Sequence, residues 1–188
     1  MTESARPPSQ RRTLLILLTV FFLPLAASFI LYYGLNWRPA GGSNHGELLK
    51  PLRQLPQAAK ALEGKWALVY VGDGACATEE CRHALFIARQ THTLLNRDMD
   101  RMQRALLATG NCCDTAFLET EHKGIQLIDV SAPAASAELA SVLPPGDHAT
   151  DLFVVDPLQN IVMRFDTREN PKGLLEDLKK LLKLSHIG

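Results

Sequence analysis

Cys76 and Cys81, in the run Gly74-Ala75-Cys76-Ala77-Thr78-Glu79-Glu80-Cys81, are the side chains best placed to do chemistry together. A thiolate attacks disulfides and binds soft metal ions, and a helix N-terminus favours thiolate over thiol. The pair follows a short apolar run and opens a helical pattern. Both sulfurs are therefore expected at a strand-to-helix junction, where open α/β sheets gather ligands. Four intervening residues allow the two Cα atoms to come within the roughly 4.4–6.8 Å that a disulfide needs. If both were helical, their five-residue offset would turn them about 140° apart. Cys76 is thus expected in the loop and Cys81 in the first turn. This is the candidate redox pair; the alternative is a disulfide of purely structural use in an exported domain.

His148, in Gly146-Asp147-His148-Ala149-Thr150-Asp151, precedes another apolar run. Loops on that side of an α/β sandwich reach the cysteine loop. Two thiolates and an imidazole form a soft, low-coordinate set that suits copper, Cu(I) above all. The alternative is a loop histidine facing water. Cys112 and Cys113 are neighbours, and adjacent cysteines rarely bond each other. They follow a strand whose end lies on the same sheet edge as the Cys76 loop, so one could exchange with the pair or add a ligand. The alternative is two small half-buried loop residues. His83 and His92 on the following helix read as packed or solvated, and Glu79 and Glu80 as complements to its dipole. No phosphate loop, metalloprotease motif or serine-centred elbow is present.

The elements that must position these groups can be read in order. Lys65–Val71, bounded by Gly64 and Gly72, is a buried strand, and Thr78 to about Arg97 a helix capped by Thr78. Met102–Thr109 reads as a second strand, with a continuation of the helix as the alternative that periodicity leaves open; Asp114 to about His122 is a short capped helix, and Ile125–Val130 a third strand. Leu152–Val155 and Ile161–Phe165 form a hairpin around Asp156-Pro157. Leu174–Leu184 is an amphipathic helix with Leu174, Leu175, Leu178, Leu181 and Leu182 on one face. Strand, helix, strand, helix, strand, hairpin, helix is a mixed α/β order, the one a thioredoxin-like sandwich requires. Residues 45–62 read as an extended lead-in or small hairpin.

Ahead of this domain, Thr13–Leu35 is a run of 23 residues without a charge, enough to cross a hydrocarbon core of roughly 30 Å. Tyr32, Tyr33 and Trp37 form an aromatic belt at one end. Arg6, Arg11 and Arg12 precede the run and only Arg38 follows closely, which places the N-terminus in the cytoplasm and the rest outside. A cleaved signal peptide is the alternative, but such apolar cores run only about 7–15 residues. The expected organisation is a cytoplasmic tail over 1–12, a membrane anchor over 13–35, a linker and lead-in over 36–62 and a thioredoxin-like domain over 63–188. A single anchor with a basic N-terminus suits a bacterial inner membrane with the domain in the periplasm; a eukaryotic organelle membrane also fits. The 188 residues allow one domain plus an anchor. Lys plus Arg balance Asp plus Glu at 20 each, so no global basic field exists to attract nucleic acid.

Asp147-His148 followed after seven residues by Asp156-Pro157 resembles the Sco (SenC) copper-chaperone family, as do the cysteine pair after the first core strand and Asn111-Cys112-Cys113-Asp114-Thr115 after the second. The resemblance spans about residues 64–184, and the anchor position agrees. It implies Cys76 and Cys81 as thiolate ligands and His148 as the imidazole ligand of one copper ion. The implied partner is the cytochrome c oxidase subunit that carries the dinuclear copper site. Here four residues separate the cysteines where the family has three, which changes where Cys76 points relative to Cys81. Finer features, His45-Gly46-Glu47-Leu48-Leu49 and Pro171-Lys172-Gly173 among them, are similar to small Sco-like membrane proteins found among proteobacterial oxidase genes. Two other readings stay open: a thiol–disulfide reductase without copper, and a non-catalytic assembly scaffold.

Overall fold

The computed structural model describes residues 10–35, 44–185 and 187, in two units, Met1–Gly42 and Ser43–Gly188. Arg6, Trp37, Arg38, most of the linker and His186 lie outside the described residues. In the first unit, α1 (Gln10–Phe29) continues as a π-helical turn over Ile30–Gly34. Together they make a helix of 25 residues, long and apolar enough to cross a membrane.

The second unit is a six-stranded sheet. Its strands are β1 (Glu47–Gln54), β2 (Trp66–Gly72), β3 (Met102–Ala108), β4 (Gln126–Asp129), β5 (Asp151–Val155) and β6 (Asn160–Asp166). Their order across the sheet is β1-β6-β5-β2-β3-β4. β2, β3 and β4 run parallel, while β5 pairs antiparallel with both β2 and β6, and β6 with β1. Between them lie α2 (Glu79–Leu94), α3 (Thr115–Glu121), α4 (Pro133–Val142) and the terminal α5 (Pro171–Leu184).

Two apolar layers enclose the sheet, and side-chain alternation along β2 divides its residues between them. Leu68 and Tyr70 join Leu85 and Ala88 of α2 and Leu174, Leu178 and Leu182 of α5 on one face. Ala67 and Val69 pack with Leu62, Leu139, Phe153 and Val155 on the other. β2 and β5 are covered on both faces and are apolar apart from Asp151 at the start of β5, whereas β6 alternates buried with half-buried positions.

Two elements go beyond the sequence expectation. The lead-in forms the edge strand β1, paired to β6 from Glu47↔Arg164 to Gln54↔Asn160. The Ala-rich stretch over 133–142 is a helix, α4, that buries Leu139 alone, so it carries no apolar stripe to announce it.

His122, buried at 3% exposure, sets its ring edge-on to Phe117 at 5.0 Å. Burial, with the Arg89 and Arg104 guanidiniums nearby, pushes its pKa down from 6.5 to about 4. The folded chain thus favours the neutral ring. Its contribution is complete above the unfolded value and is lost as pH falls from 6.5 to about 4, at about 1.4 kcal/mol per pH unit across that window. Denaturant titrations over this range should show that slope, and His122→Gln should flatten it; an unchanged slope in the variant contradicts this.

Candidate functional site

Gly72-Asp73-Gly74 ends β2 and turns the chain toward α2. Asp73 organises the turn: its Oδ1 accepts from Ala75 N at 3.1 Å and its carbonyl from Cys76 N at 3.1 Å. Cys76 sits in this loop at φ +45°, a left-handed conformation unusual for a side-chain-bearing residue. Thr78 caps α2, its Oγ1 accepting from Cys81 N at 3.3 Å. Cys81 therefore lies in the first turn, and the two cysteines form a disulfide with Cα atoms 5.4 Å apart. The loop absorbs the four-residue spacing and keeps both sulfurs together.

The pair is almost fully buried, at 1% and 2% exposure. Arg82 Nε donates to the Cys76 carbonyl at 3.3 Å, and its guanidinium lies 5.0 Å over the Phe117 ring. A cation held at the Cys76 carbonyl and a helix N-terminus at Cys81 thus lie beside the pair, and both favour thiolate once the bond is reduced. Arg82 is absent from the sequence-based candidates, and its place directly after Cys81 is the signal that points to it.

His148 lines the same hollow of about 270 Å³ as Cys76, Cys81 and Tyr70. Its Nδ1 is 2.8 Å from Asp151 Oδ2 and its Nε2 2.8 Å from the Pro144 carbonyl. The ring packs edge-on to Phe153 at 5.3 Å. Asp151 is buried, and its Oδ2 also accepts from Arg164 Nε at 2.9 Å. Neutral imidazole carries one N–H. With that proton on Nδ1 toward Asp151, the Nε2 lone pair meets a carbonyl oxygen, and the ring can make both bonds only as the doubly protonated cation. Among the described residues, no group of three His, Cys, Asp or Glu side chains is arranged to hold an ion.

Tyr70, absent from the sequence-based candidates, ties this loop to β2 by donating its hydroxyl to the Ala149 carbonyl at 3.0 Å. Burial, with Glu80, Asp147 and Asp151 nearby, pushes its pKa up to about 12, so it remains a donor at physiological pH. Gly72 makes room for that ring: a Cβ there would come within 2.6 Å of it. Asp147 turns the loop through its Oδ1, which accepts from Ala149 N at 3.0 Å.

Cys112 and Cys113 differ from the sequence expectation, for they are paired as a vicinal disulfide across a cis peptide bond. Their loop is hydrogen-bonded to the Cys76 loop. His83 and His92 hold backbone carbonyls, of Thr167 and Met102.

A parallel strand feeding a helix that opens on a buried cysteine pair, with an antiparallel hairpin and a terminal helix beyond, defines a thioredoxin-like domain. The chain belongs to the family described as transmembrane-like, thioredoxin-like, C-terminal domain, which matches residues 66–185. Among solved structures, apo Sco1 of Thermus thermophilus is similar, with a TM-score of 0.57 at 17% identity over 76% of this chain and 99% of that one. Copper-bound yeast Sco1 gives 0.54 at 16% identity, over 74% and 95%. Copper-bound ScoI of Bradyrhizobium japonicum gives 0.50 at 18%, over 69% and 96%. At these identities the likeness establishes the fold. A search of curated proteins finds no match.

Proposed function

We propose that this chain is a membrane-anchored, Sco-like accessory protein of cytochrome c oxidase assembly that binds copper through Cys76, Cys81 and His148 and delivers it. The α1 helix and its π-helical extension are the anchor; the domain faces the periplasm of a bacterial inner membrane. The partner is the oxidase subunit that carries the dinuclear copper site. The observation that carries this reading is the shared hollow: both cysteines and His148 line it, and His148 Nδ1 rests on a buried carboxylate. A carboxylate behind Nδ1 fixes the tautomer that leaves Nε2 to bind a metal.

Reduction frees two thiols at the start of α2, where Arg82 and the helix dipole favour their deprotonation. Two soft thiolates suit Cu(I) as cargo. To join them, the His148 ring must give up the Pro144 carbonyl as the neighbour of its Nε2 and take the metal in its place. Delivery is ligand exchange onto the partner, after which the thiols take up protons.

A second reading has its own support. The sulfurs are already joined, and both ring nitrogens of His148 have protein neighbours, as suits a thiol–disulfide reductase that handles no metal.

Titration of the reduced full-length chain with Cu(I) against a chromophoric chelator separates the two. One ion per chain, bound more weakly by His148→Ala and not bound by the oxidised protein, supports copper delivery. No binding by a reduced chain that still reduces a partner's disulfide supports the reductase. Full rescue of oxidase assembly in cells by Cys76→Ser/Cys81→Ser overturns both and leaves a scaffold.

A further inference from the structure

The Cys76–Cys81 bond is buried, yet any thiol chemistry at it needs electrons from outside. The second cysteine pair lies beside it and differs in access: Cys112 is exposed and Cys113 half-buried. Five hydrogen bonds clasp the two loops together, one of them from Thr109 Oγ1 to the Gly72 carbonyl at 3.2 Å. Thr109 N donates to the Gly72 carbonyl at 2.9 Å, and Gly74 N to the Gly110 carbonyl at 2.9 Å. Asp114 N donates to the Gly74 carbonyl at 3.3 Å, and Asn111 Nδ2 to Asp73 Oδ2 at 3.2 Å. A Cβ placed on Gly74 would come within 2.9 Å of Cys113 Sγ and of Cys112 Cα. The Cys113 sulfur thus rests against the backbone two residues before Cys76, and glycine is what permits that approach.

We propose that Cys112 and Cys113 form the accessible port of a two-pair thiol relay that passes electrons from an external dithiol protein to the buried Cys76–Cys81 disulfide. The inference rests on the reading of Cys76 and Cys81 as a working thiol pair. The external dithiol first reduces Cys112–Cys113 and leaves as a disulfide. Cys113 thiolate then attacks Cys76 Sγ, forming a Cys76–Cys113 bond and releasing Cys81 as thiolate. Cys81 is the better leaving group because it lies at the N-terminus of α2. Cys112 thiolate next attacks Cys113 Sγ, restoring the vicinal disulfide and releasing Cys76 thiolate. Two electrons move inward at each pass, and the protons lost by Cys112 and Cys113 are matched by those Cys76 and Cys81 take up.

The test uses the oxidised full-length chain in detergent, with reduced thioredoxin as the bulky dithiol and a small phosphine as the penetrating reductant. Reduction of Cys76–Cys81 is followed by quenched alkylation and peptide mass. Thioredoxin should reduce this bond at least about tenfold more slowly in Cys112→Ser/Cys113→Ser than in the parent, because access controls exchange rates. The phosphine should reduce it equally well in both. Equal thioredoxin rates, with the phosphine active, overturn the relay alone. A bond that the phosphine cannot reduce in either chain overturns the thiol reading and the relay with it. As an independent check, Cys81→Ser/Cys112→Ser under mild oxidation should yield a Cys76–Cys113 crosslink, and its absence contradicts the proposed attack.

Discussion

A chain carrying Cys81→Ser should bind Cu(I) more than about 100-fold more weakly than its parent, beyond the ~10–100-fold that substitutions behind the ligands typically cost. Serine keeps the volume and the Thr78 cap of α2. What it removes is a soft thiolate, and a neutral hydroxyl offers a hard oxygen in its place. The same change removes the sulfur to which Cys76 is bonded, so disulfide exchange between these two residues stops as well. Competition with a chromophoric Cu(I) chelator measures the first effect, and thiol counting after oxidation measures the second. Unchanged affinity places copper elsewhere, most directly at Cys112 and Cys113.

Asp151→Ala should cost about 3 kcal/mol of stability, the lower end of what breaking a buried ion pair costs. Asp151 sits at the start of β5 with its side chain 1% exposed, and its Oδ2 serves both Arg164 and His148. Alanine leaves both without that acceptor. Arg164 is 28% exposed and has Glu47 3.8 Å away, so water and a second carboxylate relieve part of the loss, which argues against the upper end. The same variant should lower copper affinity by ~10–100-fold, since His148 loses the group that sets its tautomer. Urea unfolding of Asp151→Ala and Asp151→Asn side by side separates shape from charge: asparagine keeps the volume but cannot offer a carboxylate to both neighbours. A midpoint unchanged in both contradicts a structural part for this network.

Local chemistry explains what could be read beforehand. The position of Cys81 was legible because Gly72-Asp73-Gly74 must break a strand and Thr78 is a natural cap. β2, β3, β5 and β6 were legible because an apolar run between breakers has few other uses. β1 was not, because an exposed edge strand carrying Pro51 shows no alternation. α4 escaped because a helix that fully buries one leucine, with Ala135 and Val142 only partly covered, shows no clear stripe. The partners of His148 were hidden for another reason: Arg164 comes from the far side of a hairpin, and Tyr70 reaches Ala149 across 79 residues of sequence. Contacts set by topology leave no trace in spacing. The pairing of Cys112 with Cys113 ran against the usual behaviour of adjacent cysteines, and only the backbone path of that loop reveals it.

Copper-edge X-ray absorption on the reduced, Cu(I)-loaded full-length chain decides whether Cys76, Cys81 and His148 share one ion. The expected spectrum has sulfur from Cys76 and Cys81 and one imidazole nitrogen bound to copper, and His148→Ala loses that nitrogen. An all-sulfur shell indifferent to His148→Ala, or one that survives Cys76→Ser/Cys81→Ser, contradicts it.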